Sequence, residues 1–175
     1  MISGYLFRSR CRGLFSHPMK TKMVKFLAWA FFGLIAFAFI ANAKLVNLST
    51  RLKVPAGETL MAGFVIDNPG KYLIRAVGHG LVQFGVQNTM INPELKIYRG
   101  QVQIGGNSEW HVGAGVSVAM YLDYQARAGA FPLPTGSLDA AYIIDLPVGA
   151  YTAHVAEFRD RGGDVLIEIY EIPPG

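Results

Sequence analysis

The residues of this chain that could do chemistry are few and scattered. Beyond the first forty residues histidine occurs at His79, His111 and His154. None pairs at i, i+2 or i, i+4 and no HExxH motif is present, so the pattern of a zinc centre is missing. Ser108, His111 and Asp123 supply the residue types of a nucleophile, base and orienting acid, but no G-x-S-x-G elbow surrounds the serine. A secreted hydrolase is therefore the remote reading, and the chain is read as non-enzymatic. Gly78-x-Gly80 and Gly113-x-Gly115 lack the spacing and lysine of a phosphate-binding loop. Asp160 and Asp164, around Gly162-Gly163, are weak calcium candidates. That ion asks for roughly six to eight converging oxygens, and such residues are also ordinary turn formers. No metal and no cofactor is expected.

Three residues stand out as candidate ligand contacts: Trp110, His79 and Tyr98. Trp110 ends a glycine-rich loop, where an exposed ring would give a sugar a flat apolar face with a polar edge. Tyr98 lies at the end of the strand expected at 94–98, just before Arg99-Gly100. His79 stands between Gly78 and Gly80, an arrangement that allows close approach of a ligand or backbone, or a turn with positive φ on both sides.

These residues must be positioned by strands. Leu48, Thr50, Leu52 and Val54 alternate with polar residues, as in a half-buried strand. Turn signals follow at Pro55-Ala56-Gly57, Asp67-Asn68-Pro69-Gly70, Arg99-Gly100 and Pro147-Val148-Gly149, and between them stand strands at 59–66, 72–77, 94–98, 101–104, 140–146, 151–156 and 165–170. One helical turn is expected at 81–84. The polar run 159–164 reads as a hairpin loop. The stretch 115–127 is the exception: Val116, Met120 and Tyr124 are four apart, as are Val118 and Leu122, which predicts one short helix closed by Gly129. The fold class is all-β: an antiparallel two-sheet sandwich, jelly-roll-like, with one inserted helix.

The charge of the chain divides sharply. Residues 1–43 hold Arg8, Arg10, Arg12, Lys20, Lys22 and Lys25 and no acid, which gives +6; residues 44–175 hold 10 Lys or Arg against 12 Asp or Glu, which gives −2. A domain at −2 lacks the positive field that phosphate backbones need, so nucleic acid is excluded as a partner. Residues 26–40, FLAWAFFGLIAFAFI, are uncharged, follow Lys20, Lys22 and Lys25, and precede Ala41-Asn42-Ala43. Basic start, apolar centre and small-x-small site, with cleavage signalled by Ala41 and Ala43, predict a signal peptide over 1–43, with translation starting at Met1, Met19 or Met23. Uncleaved, the same run would be a membrane anchor. The expected address is secreted or cell-surface, periplasm included. Cys11 is the single cysteine, so residues 44–175 can form no disulfide.

Asn47-Leu48-Ser49-Thr50-Arg51, Ala62-Gly63-Phe64-Val65-Ile66 and Leu73-Ile74-Arg75-Ala76-Val77-Gly78 together resemble a β-module of large secreted bacterial proteins. The likeness continues through Gly129-Ala130-Phe131-Pro132-Leu133, Gly149-Ala150-Tyr151-Thr152-Ala153 and Glu168-Ile169-Tyr170-Glu171, covering nearly all of 47–172. The module has Pro-Ser after Val-Gly, where this chain has His79-Gly80. The closing strands are also similar, more weakly, to pre-peptidase C-terminal β-sandwich domains. The resemblance implies a non-catalytic extracellular module for attachment or assembly. Its partner would be another surface protein, or a second copy bound through sheet edges. The alternative is a carbohydrate-binding module that uses exposed aromatics on a polysaccharide.

Overall fold

The computed structural model describes residues 47–175. The expected signal segment, with Ala41 and Ala43, lies outside the described residues. The strands are β1 (Asn47–Val54), β2 (Thr59–Ile66), β3 (Gly70–Val77), β4 (Pro93–Arg99), β5 (Val102–Asn107), β6 (Ala140–Leu146), β7 (Gly149–Glu157) and β8 (Gly163–Glu171). Helix α1 covers Val118–Arg127, and a 3-10 turn covers His79–Phe84. Strand ends fall on the expected punctuation: Gly57, Gly100 and Gly149 all have positive φ, which glycine adopts without steric penalty.

The sheets are ordered β1-β8-β3-β6 and β2-β7-β4-β5, antiparallel throughout. Four of the pairs join the first strand to the last, the second to the seventh, the third to the sixth and the fourth to the fifth. The chain is thus one long antiparallel ribbon, doubled back at the β4–β5 turn and rolled so that β8 meets β3 and β7 meets β4. That is the two-sheet jelly roll.

Rolling has one result that local pattern does not reveal. β7 and β8 belong to different sheets, so residues between them cross from sheet to sheet and do not form the expected hairpin. A polar, glycine-rich stretch looks the same in either role. Asp160 there takes a positive φ of 55°.

The core between the sheets comes from one face of each strand: Phe64 and Ile66, Ile74 and Ala76, Leu95 and Ile97, Tyr151, Ala153 and Val155, and Val165, Ile167 and Ile169. A second core lies on the other face of β3, β6 and β8, where Leu73, Val77, Ala141, Ile143 and Tyr170 are covered by Leu81, Trp110, Tyr121 and Leu133. This is why β3 is buried on both faces.

Helix α1 forms where the spacing predicts, three residues shorter at its start. Ser117 caps it, accepting the Met120 N–H at 3.3 Å. Its buried face differs from the expected stripes: Tyr121 and Gln125 are buried, while Val118, Met120 and Leu122 are exposed. Among the described residues no helix is long and apolar enough to cross a membrane.

Candidate functional site

The second core holds a charge that the apolar reading of β3 passes over. Arg75 is 0% exposed and stands directly opposite Glu168 on β8. Its Nε donates to Glu168 Oε2 at 2.9 Å, its Nη2 donates to the same oxygen, and its Nη1 donates to the Phe131 carbonyl at 2.6 Å. The guanidinium lies 4.3 Å from the Phe131 ring centre, and Tyr170 gives its hydroxyl to Glu168 Oε1 at 2.6 Å. Burial, that hydrogen bond and the Glu168 charge push the Tyr170 hydroxyl up to about 12. A charge so fully paired is a structural clamp. The signal was one basic residue in YLIRAV and one acid in VLIEIY.

The glycines around His79 have a comparable structural cause. Asp139 Oδ1 accepts the Gly78 N–H at 2.7 Å and Oδ2 accepts the Gly80 N–H at 2.9 Å. A Cβ on Gly78 would run into the Met90 carbonyl, and one on Gly80 would meet Asp139 Oδ2 and Val77. Neither has positive φ. Close approach explains both, and the turn with positive φ on each side is corrected. Burial raises the Asp139 carboxyl above its ordinary value, although both N–H bonds oppose the rise. His79 itself is exposed.

Trp110 is 6% exposed, 5.1 Å from the Tyr121 ring centre, and belongs to the second core. Its position at a loop end suggested exposure; the helix and loops laid over the sheet bury it, so the expected stacking ring is not on the surface. His111 lies 3.5 Å from Glu109 and Asp123 pairs with Arg127, so both have partners outside the Ser108-His111-Asp123 set. Asp160 is exposed, while the backbone of Asp164 pairs with that of Asn88 and Met90. Among the described residues no three His, Cys, Asp or Glu side chains converge to hold a metal.

Two surfaces remain. The outer face of β2-β7-β4-β5 carries Tyr98, whose ring lies 4.5 Å from His154. Beside them Thr59, Glu94, Lys96 and Ala156 line a shallow depression of about 160 Å³, with Glu94 and Lys96 paired at 3.1 Å.

The second surface is a long side of the sandwich. On the β5–β6 side the seam is closed. Asn107 accepts the Ala141 N–H at 3.1 Å and donates to its carbonyl at 2.9 Å, the Ile143 N–H reaches the Ala114 carbonyl at 2.9 Å, and Gly105 lies against the Tyr142 ring. Among the described residues the β1–β2 side is open. Leu48 and Leu52 stand opposite Ile169 and Val165, so they share the core-facing side. They nonetheless remain 43% and 45% exposed. A cleft of about 220 Å³ opens there, lined by Leu48, Phe64, Ile66 and Ile169 and bordered by the carboxylates Asp67 and Glu171. Both bordering strands pair over eight residues without a bulge, and among the described residues neither has a strand on its outer edge.

No model of a known family and no curated protein matches this chain.

Proposed function

We propose that this is a non-catalytic extracellular or cell-surface module that attaches or assembles through its open β1–β2 side. The observation that carries the reading is the contrast between the two sides. One seam is sealed by side-chain hydrogen bonds to the edge strand; the other leaves core-facing leucines and two regular edges available. An unguarded regular edge is a template for pairing with another chain. The signal-like leader and the likeness to modules of secreted bacterial proteins support an address outside the cytoplasm.

The test uses cells making the full chain. The protein is expected in sedimenting assemblies or held at the cell surface. Leu48→Lys/Leu52→Lys, at positions exposed enough to accept charge, is expected to release at least about tenfold more as free monomer. If wild type and variant are both free monomers, the reading is lost.

A second reading has its own observation, the Tyr98–His154 ring pair on the open face of β2-β7-β4-β5. Paired Glu94 and Lys96 leave the depression without net charge and with both a donor and an acceptor, which suits a neutral polysaccharide. In titrations with neutral polysaccharides, Tyr98→Ala is expected to weaken binding at least about tenfold. Equal binding by the variant, or none by wild type, removes this reading.

A further inference from the structure

We infer that the open side joins two copies of this chain through β2, antiparallel across a two-fold axis at Gly63, making one eight-stranded sheet from two four-stranded ones. The inference rests on the assembly reading and names its partner.

The choice of strand comes from charge. β1 carries Arg51 and Lys53, so pairing it with its own copy puts four cations on one seam, directly opposed in every register centred from Arg51 to Lys53. β2 reads TLMAGFVI and has no charge over eight residues. It is also the strand with the most apolar surface left over: Met61 is 67% exposed and Val65 75% exposed, both on the outer face of the sheet. Natural edges are normally guarded by charge, proline, a bulge or a covering segment. Among the described residues β2 has no covering strand, and its ladder to β7 runs unbroken from Thr59 to Ile66.

The register follows from the flanking residues. Opposed residues in an antiparallel pair share a face, so the two copies can slide only in steps that keep faces matched. Centred on Gly63, Met61 meets the partner's Val65 on the outer face, while Leu60 meets Ile66 and Ala62 meets Phe64 on the core face; every such pair is apolar. Centring on Ala62 sets Glu58 against Ile66. Centring on Phe64 sets Asp67 against Met61. Both alternatives set a carboxylate directly against an apolar side chain, a mismatched cross-strand pair that the Gly63 register avoids. Gly63 suits the axis, because a Cβ there would meet nothing within 4 Å and its backbone does not need positive φ. Glycine in a strand interior marks a bulge, a tight bend or the close approach of a ligand or another backbone, and the ladder of β2 has no bulge at Gly63.

The experiment uses the full chain, with Cys11→Ser throughout and one cysteine added. Gly63→Cys is expected to cross-link to itself with a short thiol-reactive linker, and Val102→Cys, on exposed β5, is not. Sedimentation is expected to give a dimer whose dissociation constant rises at least about 100-fold in Met61→Lys/Val65→Lys. Both side chains are mostly exposed, so the fold tolerates the change; circular dichroism checks it. A folded protein monomeric at all concentrations overturns the inference. So does a dimer that Met61→Lys/Val65→Lys leaves intact and that the Gly63→Cys variant fails to cross-link. Failure here with surface retention still lost in Leu48→Lys/Leu52→Lys leaves the assembly reading standing with another partner; loss of both results ends both.

Discussion

Glu168→Ala is expected to destabilise the domain by about 3–5 kcal/mol, the range for removing one partner of a buried ion pair. The alanine leaves Arg75 in the core without its carboxylate, facing neutral groups such as the Phe131 carbonyl and two aromatic rings. The desolvation cost of the buried guanidinium is then no longer offset by attraction to a carboxylate. Arg75→Met with Glu168→Leu, which removes both charges, is expected to regain most of that loss. Chemical denaturation of the three proteins checks the order; a double variant no more stable than Glu168→Ala would defeat the account. The same cluster sets an alkaline limit. The folded state holds the Tyr170 proton more tightly than the unfolded chain, so the contribution of this tyrosine to stability is fully present below pH 10 and declines as pH rises from 10 toward about 12. In Glu168→Ala the tyrosine loses the acceptor and the negative charge that hold its proton. Its titration, followed by ultraviolet absorbance, is expected to move down.

The second large effect belongs to Asp139. Asp139→Ala removes the acceptors of two buried N–H groups, Gly78 and Gly80, and is expected to cost on the order of 3 kcal/mol. Asp139→Asn keeps one acceptor and turns an amide donor toward the other N–H, so it should lie between alanine and wild type. The carboxyl is raised by burial, and the folded state therefore binds its proton more tightly than the unfolded state. Its stabilisation is fully present below the ordinary carboxylate value and is lost as pH rises through the raised one. Wild type should show this slope in thermal melts across the acid range, and Asp139→Ala should not. Equal slopes would assign the dependence elsewhere.

Much of the scaffold is legible in the residues. Strand ends at Gly57, Asn68-Pro69 and Pro147 are set by local backbone rules, and alternation in β7 is a direct print of one buried face, whereas of the alternating apolar residues of β1 only Val54 is buried. What escapes is anything decided by long-range contact. Which helical stripe faces down depends on where the loops set α1, so Tyr121 and Gln125 replace the expected stripes. Trp110 reads as a loop-end aromatic until the second core is in place above it. The Gly78-His79-Gly80 bracket draws the eye to the histidine, whereas the glycines answer to Asp139, 59 residues beyond Gly80, and to Met90. Arg75 and Glu168 were visible as opposite charges in two apolar runs; only the β3–β8 register makes them a pair.

The rolled ribbon also governs how the domain responds to pulling. Asn47 stands opposite Tyr170, so the first strand begins beside the place where the last one ends. Tension applied at those two points loads the β1–β8 ladder one rung at a time and peels it open. Tension entering along β2 runs parallel to its eight-rung ladder and must shear many hydrogen bonds together. An anchor that holds by β2 therefore grips where the domain is mechanically strong, and a tether at Asn47 with a load at Tyr170 pulls where it unzips.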